Sequence, residues 1–192
     1  QTVASLPHAL GLDNAPSLEL YRLARPVARR SRPSRIERAT PEVLRLLNDA
    51  LATEIVCTLR YKRHYFMAKG LSSESVKSEF LEHAEEEQAH ADALAERIVQ
   101  LGGEPNLSPE GLLDRSHSQY AEGTSLEDMI REDLVAERIA IDSYRQMIEY
   151  IGGDDPTTRR LLEEVTAKEE EHADELAEPD HSVPFRLTQN QR

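Results

Sequence analysis

The sequence predicts an all-α protein: an antiparallel four-helix bundle with a long crossover between its second and third helices and an N-terminal extension. Three observations carry that expectation. Four long segments repeat apolar residues every three to four positions, the period of one helix face. Gly and Pro fall between the segments rather than within them. The first pair of segments also recurs as the second pair, with "EIVCTLRY" (54–61) echoed by "ERIAIDSY" (137–144).

The elements follow in order. Residues 1–40 contain Pro7, Pro16, Pro26 and Pro33, show little sustained periodicity, and read as an extension with one short helix near 18–24. The first long helix opens at Thr40, an N-cap with Pro41 in the first helical position, and runs to about residue 69 before Gly70. The second spans about 73–101 and stops at Gly102 and Gly103. The third opens under a Thr124/Ser125 cap, with Glu127 and Asp128 in its first turn, and ends at Gly152 and Gly153. The fourth starts at Pro156 and stops before Pro179. Short links within each pair imply antiparallel hairpins, and the long link 102–123 must cross the bundle. Its "PEGLLDRSHSQY" forms a short helix of its own. The chain therefore divides into an Arg- and Pro-rich extension (1–40), a bundle (41–178) and a tail (179–192).

The 192 residues are 39% hydrophobic and 31% charged, which suits one domain with heavily charged outer faces. No apolar run is long enough to span a bilayer. The start lacks a signal-peptide pattern, and the single Cys57 fits a reducing, cytoplasmic setting. The net charge of −13 hides an asymmetry. Residues 1–40 hold seven Arg against Asp13, Glu19 and Glu37, a balance of +4, so the remainder carries −17. An acidic body attracts cations, while the basic arm suits DNA phosphates or acidic neighbouring subunits.

Each helix's best apolar stripe is interrupted midway by acid or imidazole: Glu54 on the first, His83, Glu87 and His90 on the second, Asp133 and Glu137 on the third, and Glu169 and His172 on the fourth. Ionised carboxylates in a dry core cost several kcal/mol each (~3–5) unless paired or coordinated. Two divalent cations balance Glu54, Glu87, Glu137 and Glu169 with the histidines neutral, which points to a dinuclear metal site. Either Glu86 or Glu87 shares a face with His90. The residue four before His172 is Lys168, and only the three-residue offset exists in both copies, so Glu87 and Glu169 are the ligands. Glu85, Glu86, Glu170 and Glu171 then fall mainly on solvent or cavity faces. Glu178 and His181 straddle Pro179 and are discounted.

Single glutamates on two helices with Glu-x-x-His on the other two resemble the ferritin-like di-iron carboxylate pattern. "EEEQAHADALAERIVQLGGEPNL" and "LLEEVTAKEEEHADEL" are most similar to bacterioferritin, and the likeness covers about residues 41–178. It implies a di-iron centre held by Glu54, Glu87, His90, Glu137, Glu169 and His172, with Glu87 and Glu169 bridging. It further implies ferroxidase chemistry, in which Fe(II) is oxidised by O2 or H2O2 and ferric mineral is stored in a cage. Bacterioferritin's haem-binding Met is replaced by Gln88, so no haem is expected. Pro179 and Pro184 leave little room for a fifth helix, which with the long crossover resembles the 12-subunit Dps-like shells more than 24-subunit cages. A dimanganese catalase, a rubrerythrin-like peroxidase and a DNA-protecting nucleoid protein are the alternatives.

Other residues sit close to the predicted site. Tyr61 and Tyr144 lie seven residues beyond Glu54 and Glu137, placed to hydrogen-bond a ligand, to supply an electron or simply to pack. Asp133 is a candidate to support a ligating histidine or to guide cations, or it faces the surface. His83 reads as a transient metal stop or a satisfied core histidine. Cys57 reads as a small buried hydrophobe.

Overall fold

The computed structural model describes residues 40–69 and 74–177. The proposed arm, its short helix, the tail, and Glu178 with His181 lie outside the described residues. Among those described, α1 spans Pro41–Met67, α2 Glu74–Gln100, α3 Leu112–Arg115, α4 Leu126–Ile151 and α5 Pro156–Ala177. The chain is all-α. Helix α1 packs along α2 and α4 along α5, and the two hairpins meet through α1 against α4 and α2 against α5.

Local chemistry sets the helix ends. Thr40 accepts from the Val43 amide at 3.3 Å, and Ser125 accepts from the Asp128 amide at 3.1 Å. Asp155 caps α5 through the Thr158 amide at 3.0 Å. Helix α2 ends where Gly102 turns to φ 80°, and Gly102 and Gly103 amides close back on Val99 and Ile98 at 2.9 Å. A side chain on Gly103 would strike Leu44, so the crossover leaves α2 tight against α1. Helix α1 ends slightly short of the sequence expectation, at Met67, because Ala68 is already extended.

Two apolar clusters fill the bundle. One gathers Leu47, Leu51, Leu94, Ile98, Met147, Ile151 and Leu162 near one end. The other gathers Val76, Phe80, Met129, Leu134 and Leu176 near the opposite end. The six predicted ligands lie in the layer between them, so both mouths of that layer are sealed by hydrocarbon. Exposed Phe66 and Leu59 mark the outer face of α1.

The crossover is tied along α1 by side chains the sequence reading did not single out. Asn48 accepts from the Asn106 amide at 2.6 Å, and Thr53 accepts from the His117 amide at 2.9 Å. Arg60, fully buried, donates to Asp133 at 2.7 Å and to Ser118 Oγ and the Gln119 carbonyl at 3.0 Å. His64 bridges Asp133 (2.7 Å) and the Ala121 carbonyl (3.2 Å). Asp133 thus joins α1, α4 and the crossover. Replacing it with Ala leaves Arg60 buried without a carboxylate, at an expected loss of about 3–5 kcal/mol in urea unfolding. A loss below about 1 kcal/mol would show that Ser118 and Gln119 suffice alone.

Candidate metal centre

The six predicted residues converge. Ligand atoms of Glu54, Glu87, His90 and Glu169 lie within 4.8 Å of one another, and so do those of Glu87, Glu137, Glu169 and His172. The two sets share Glu87 and Glu169. All four carboxylates and His172 are at most 1% exposed, and His90 is the most open of the six. The helical period brings them together: each sits mid-helix on a stripe whose other members fill the flanking clusters.

Their hydrogen bonding is incomplete in a specific way. Glu54 Oε2, both oxygens of Glu87 and Glu169, Glu137 Oε2, His90 Nδ1 and His172 Nδ1 are buried and have no hydrogen-bond partner. His90 Nδ1 lies 3.0 Å from Glu169 and 3.3 Å from Glu54, without hydrogen-bond alignment. Buried polar atoms are almost always satisfied, so eight orphans in one layer need an explanation. The chemistry of the donors supplies one. Each half-site offers one imidazole nitrogen, one terminal carboxylate oxygen and one oxygen from each shared carboxylate, a set that can hold a pair of divalent ions.

The remaining ligand oxygens are occupied from across the bundle. Tyr61 on α1 donates to Glu137 Oε1 on α4, and Tyr144 on α4 donates to Glu54 Oε1 on α1. Burial and the neighbouring carboxylates push both phenols well above their usual range, so they remain donors. The swap reproduces the duplication read from the sequence.

Two positions depart from expectation. Asp133 reaches neither ligand histidine nor the surface, because Arg60 and His64 take its two oxygens. Glu86 is not simply a solvent-facing acid: its Oε2 lies 2.6 Å from His172 Nε2. Lys168 Nζ holds its other oxygen at 3.2 Å. These two residues occupy equivalent places in the duplicated halves, four before His90 and four before His172, yet they carry opposite charge. No periodicity separates Glu86 from its glutamate neighbours, although the Lys at the matching position was a visible signal. His83 is buried and stacks on His172 with ring centroids 4.1 Å apart. Cys57 is buried as expected, and burial pushes its thiol well up. Gln88 is exposed and hydrogen-bonds Asp92 at 3.0 Å.

Four of the layer's buried groups favour their protonated forms, and Glu87 does not. Burial and the adjacent Glu87 raise Glu54 to about 8, and burial with Glu87 and Glu54 holds Glu169 well above the carboxylate range. Burial opposes charge on His90, but Glu54 and Glu87 outweigh it and raise it to about 10. His172 rises to about 9, with Glu87 and Glu137 overcoming burial. Glu87 goes the other way: burial and Glu137 oppose its ionisation, yet contacts with Glu54, His172 and His90 hold it below the usual range.

A model of the ferritin-like domain matches residues 44–179 of this sequence. With an all-α bundle, a glutamate of the layer on each of the four long helices and a histidine on two of them, the chain belongs to the ferritin-like family. It is 31% identical over 139 residues to a bacterioferritin of Brucella melitensis biotype 1, covering 71% of this chain and 81% of that one. It is also 31% identical over 143 residues to a nutrient stress-induced DNA-binding protein of Synechococcus sp., covering 72% and 80%. Among solved structures it resembles a dodecameric thioferritin, the bacterioferritin-related protein from Bacteroides fragilis. The TM-score is 0.68 at 28% identity, over 83% of this chain and 89% of that one. No helix among the described residues is long and apolar enough to cross a membrane.

The proton load sets a pH dependence. Glu54 binds its proton more tightly folded (about 8) than unfolded (4.5), as do His90 and His172 (about 10 and 9 against 6.5). The folded state therefore holds extra protons, and its stability falls as pH rises through this range. Denaturant unfolding of metal-stripped protein between pH 5 and 9 should show that fall, and Glu54→Gln should flatten it. A stability that rises with pH would contradict the assignment.

Proposed function

We propose that this protein stores and detoxifies iron, binding two Fe(II) ions as substrate in the six-residue layer and oxidising them. The eight unpartnered donor atoms, divided evenly between two half-sites, are the observation that carries this reading. Glu54 and His90 hold one ion, Glu137 and His172 hold the other, and Glu87 with Glu169 bridges them. Two Fe(II) ions give up two electrons. O2 with two protons then yields H2O2, while H2O2 with two protons yields two waters. Carboxylates suit this work because they hold ferrous and ferric ions alike and shift between bridging and terminal modes.

The surrounding residues have defined parts. Tyr61 and Tyr144 fix the terminal carboxylates, each by holding one oxygen so that the other faces the ion. Glu86 fixes the orientation of His172 through Nε2, which leaves Nδ1 for the metal. His90 has Lys168 at the equivalent place instead, so the two half-sites should differ in affinity. The hydrocarbon clusters on either side keep water away from the reacting layer.

The assembly and location belong to the same proposal. The dodecameric neighbour supports a homo-oligomeric cage of twelve, in which ferric product mineralises against acidic inner faces. The Arg-rich extension (1–40) joins the bundle (41–178) to DNA or to neighbouring subunits. The DNA-binding name of one relative supports the former. We place the protein in the cytoplasm, without haem.

Anaerobic Fe(II) titration should place about two ions per chain in the six-residue layer, one for each half-site, and admission of air should produce a ferric absorbance. Glu87→Gln with Glu169→Gln should abolish both. Absence of uptake, or oxygen release from peroxide only with manganese, would overturn the reading. Glu86→Gln should weaken one of the two Co(II) binding steps of the six-residue layer by about 10–100-fold and spare the other. Equal weakening of both steps would show that Glu86 does not serve His172 in particular.

A further inference from the structure

Beside the six-residue layer, a separate set of donors lies at the seam of α2 and α5. Glu79 and His83, one turn apart on α2, meet Glu175 of α5, and one ligand atom from each lies within 4.8 Å of the other two. His83 is 1% exposed. Its Nε2 lies 2.8 Å from Glu175 Oε2, while its buried Nδ1 has no hydrogen-bond partner. A buried imidazole ordinarily finds partners at both nitrogens. Its Nε2 partner is a carboxylate that is itself 47% exposed. Core packing explains the ring's contact with Tyr61, edge to face at 5.2 Å, but not an unsatisfied imidazole beside two acids.

One imidazole and two carboxylates make a donor set for divalent first-row transition ions. We propose that Glu79, His83 and Glu175 form a third cation site, and that it is the port through which ions reach the six-residue layer. Position supports the second half of the proposal. Glu175 opens the site to solvent, and the His83 ring lies face to face with His172 at 4.1 Å. His172 in turn stacks towards His90 at 6.3 Å. The His83 ring of the port therefore lies directly against a histidine of the second half-site. Glu86, half-exposed and bonded to His172, stands one turn further along α2. The acidic mouth also concentrates cations from solution. Binding at the third site is independent of the proposed iron chemistry, whereas service as a port rests on it.

Equilibrium dialysis of the full chain against Co(II), with metal analysis, tests the site. Wild type should hold three ions per chain, Glu79→Gln/Glu175→Gln two, and Glu87→Gln/Glu169→Gln one. Two ions in both wild type and the Glu79→Gln/Glu175→Gln variant would overturn the third site while leaving the six-residue centre intact. One ion in wild type, lost only in the Glu79→Gln/Glu175→Gln variant, would uphold the third site and overturn the centre. Glu175→Gln alone, at a position 47% exposed, should also lose one ion. Stopped-flow Co(II) loading tests the port: filling of the six-residue centre should slow about tenfold in the Glu79→Gln/Glu175→Gln variant, with the same end-point. An unchanged loading rate would overturn that role.

Discussion

Four carboxylates share one buried layer of this bundle, and the rest of the structure follows from the need to neutralise them. Without ions the layer keeps protons on Glu54, Glu169 and both histidines, and leaves eight donor atoms unpaired. Such a layer cannot hold a fold together by itself. The helices are accordingly long enough to carry an apolar cluster on each side of it, one centred on Leu51, Leu94 and Met147, the other on Phe80 and Leu176. Stability is supplied at the ends, so the middle is free to be unfavourable.

The two halves are duplicated in sequence and cross-braced in space. Each tyrosine serves the glutamate of the opposite hairpin, so neither half can orient its terminal ligand alone. The symmetry breaks at Glu86 and Lys168, which pair with each other while only Glu86 reaches a ligand histidine. It breaks again along the histidine stack, where His83 continues the line beyond His172 towards solvent. In the proposed ion-binding layer, one half is therefore backed by a carboxylate and a second imidazole.

Much of this was legible in the sequence, for a physical reason. The helical period and its interruption by acid or imidazole are both local signals, and they located four helices and six converging residues. Three features were not legible. Arg60 stands in "TLRYKRHY", where it resembles a solvated charge, and its partner Asp133 lies far along the chain. A second stripe on α1, Thr53, Cys57, Arg60 and His64, was nevertheless present at helical spacing and marks the face on which the crossover lies. Glu86 was hidden among identical neighbours. The tyrosine exchange required knowing which hairpin faces which, and that is a property of topology rather than of any one segment.

The central claim is that the layer is built around two ions sharing Glu87 and Glu169. A Co(II)-loaded crystal with anomalous difference density tests it most directly. The account requires two peaks in the layer, one against Glu54 and His90 and one against Glu137 and His172, with both shared carboxylates between them. A layer without peaks, with the carboxylates paired to one another instead, would contradict it.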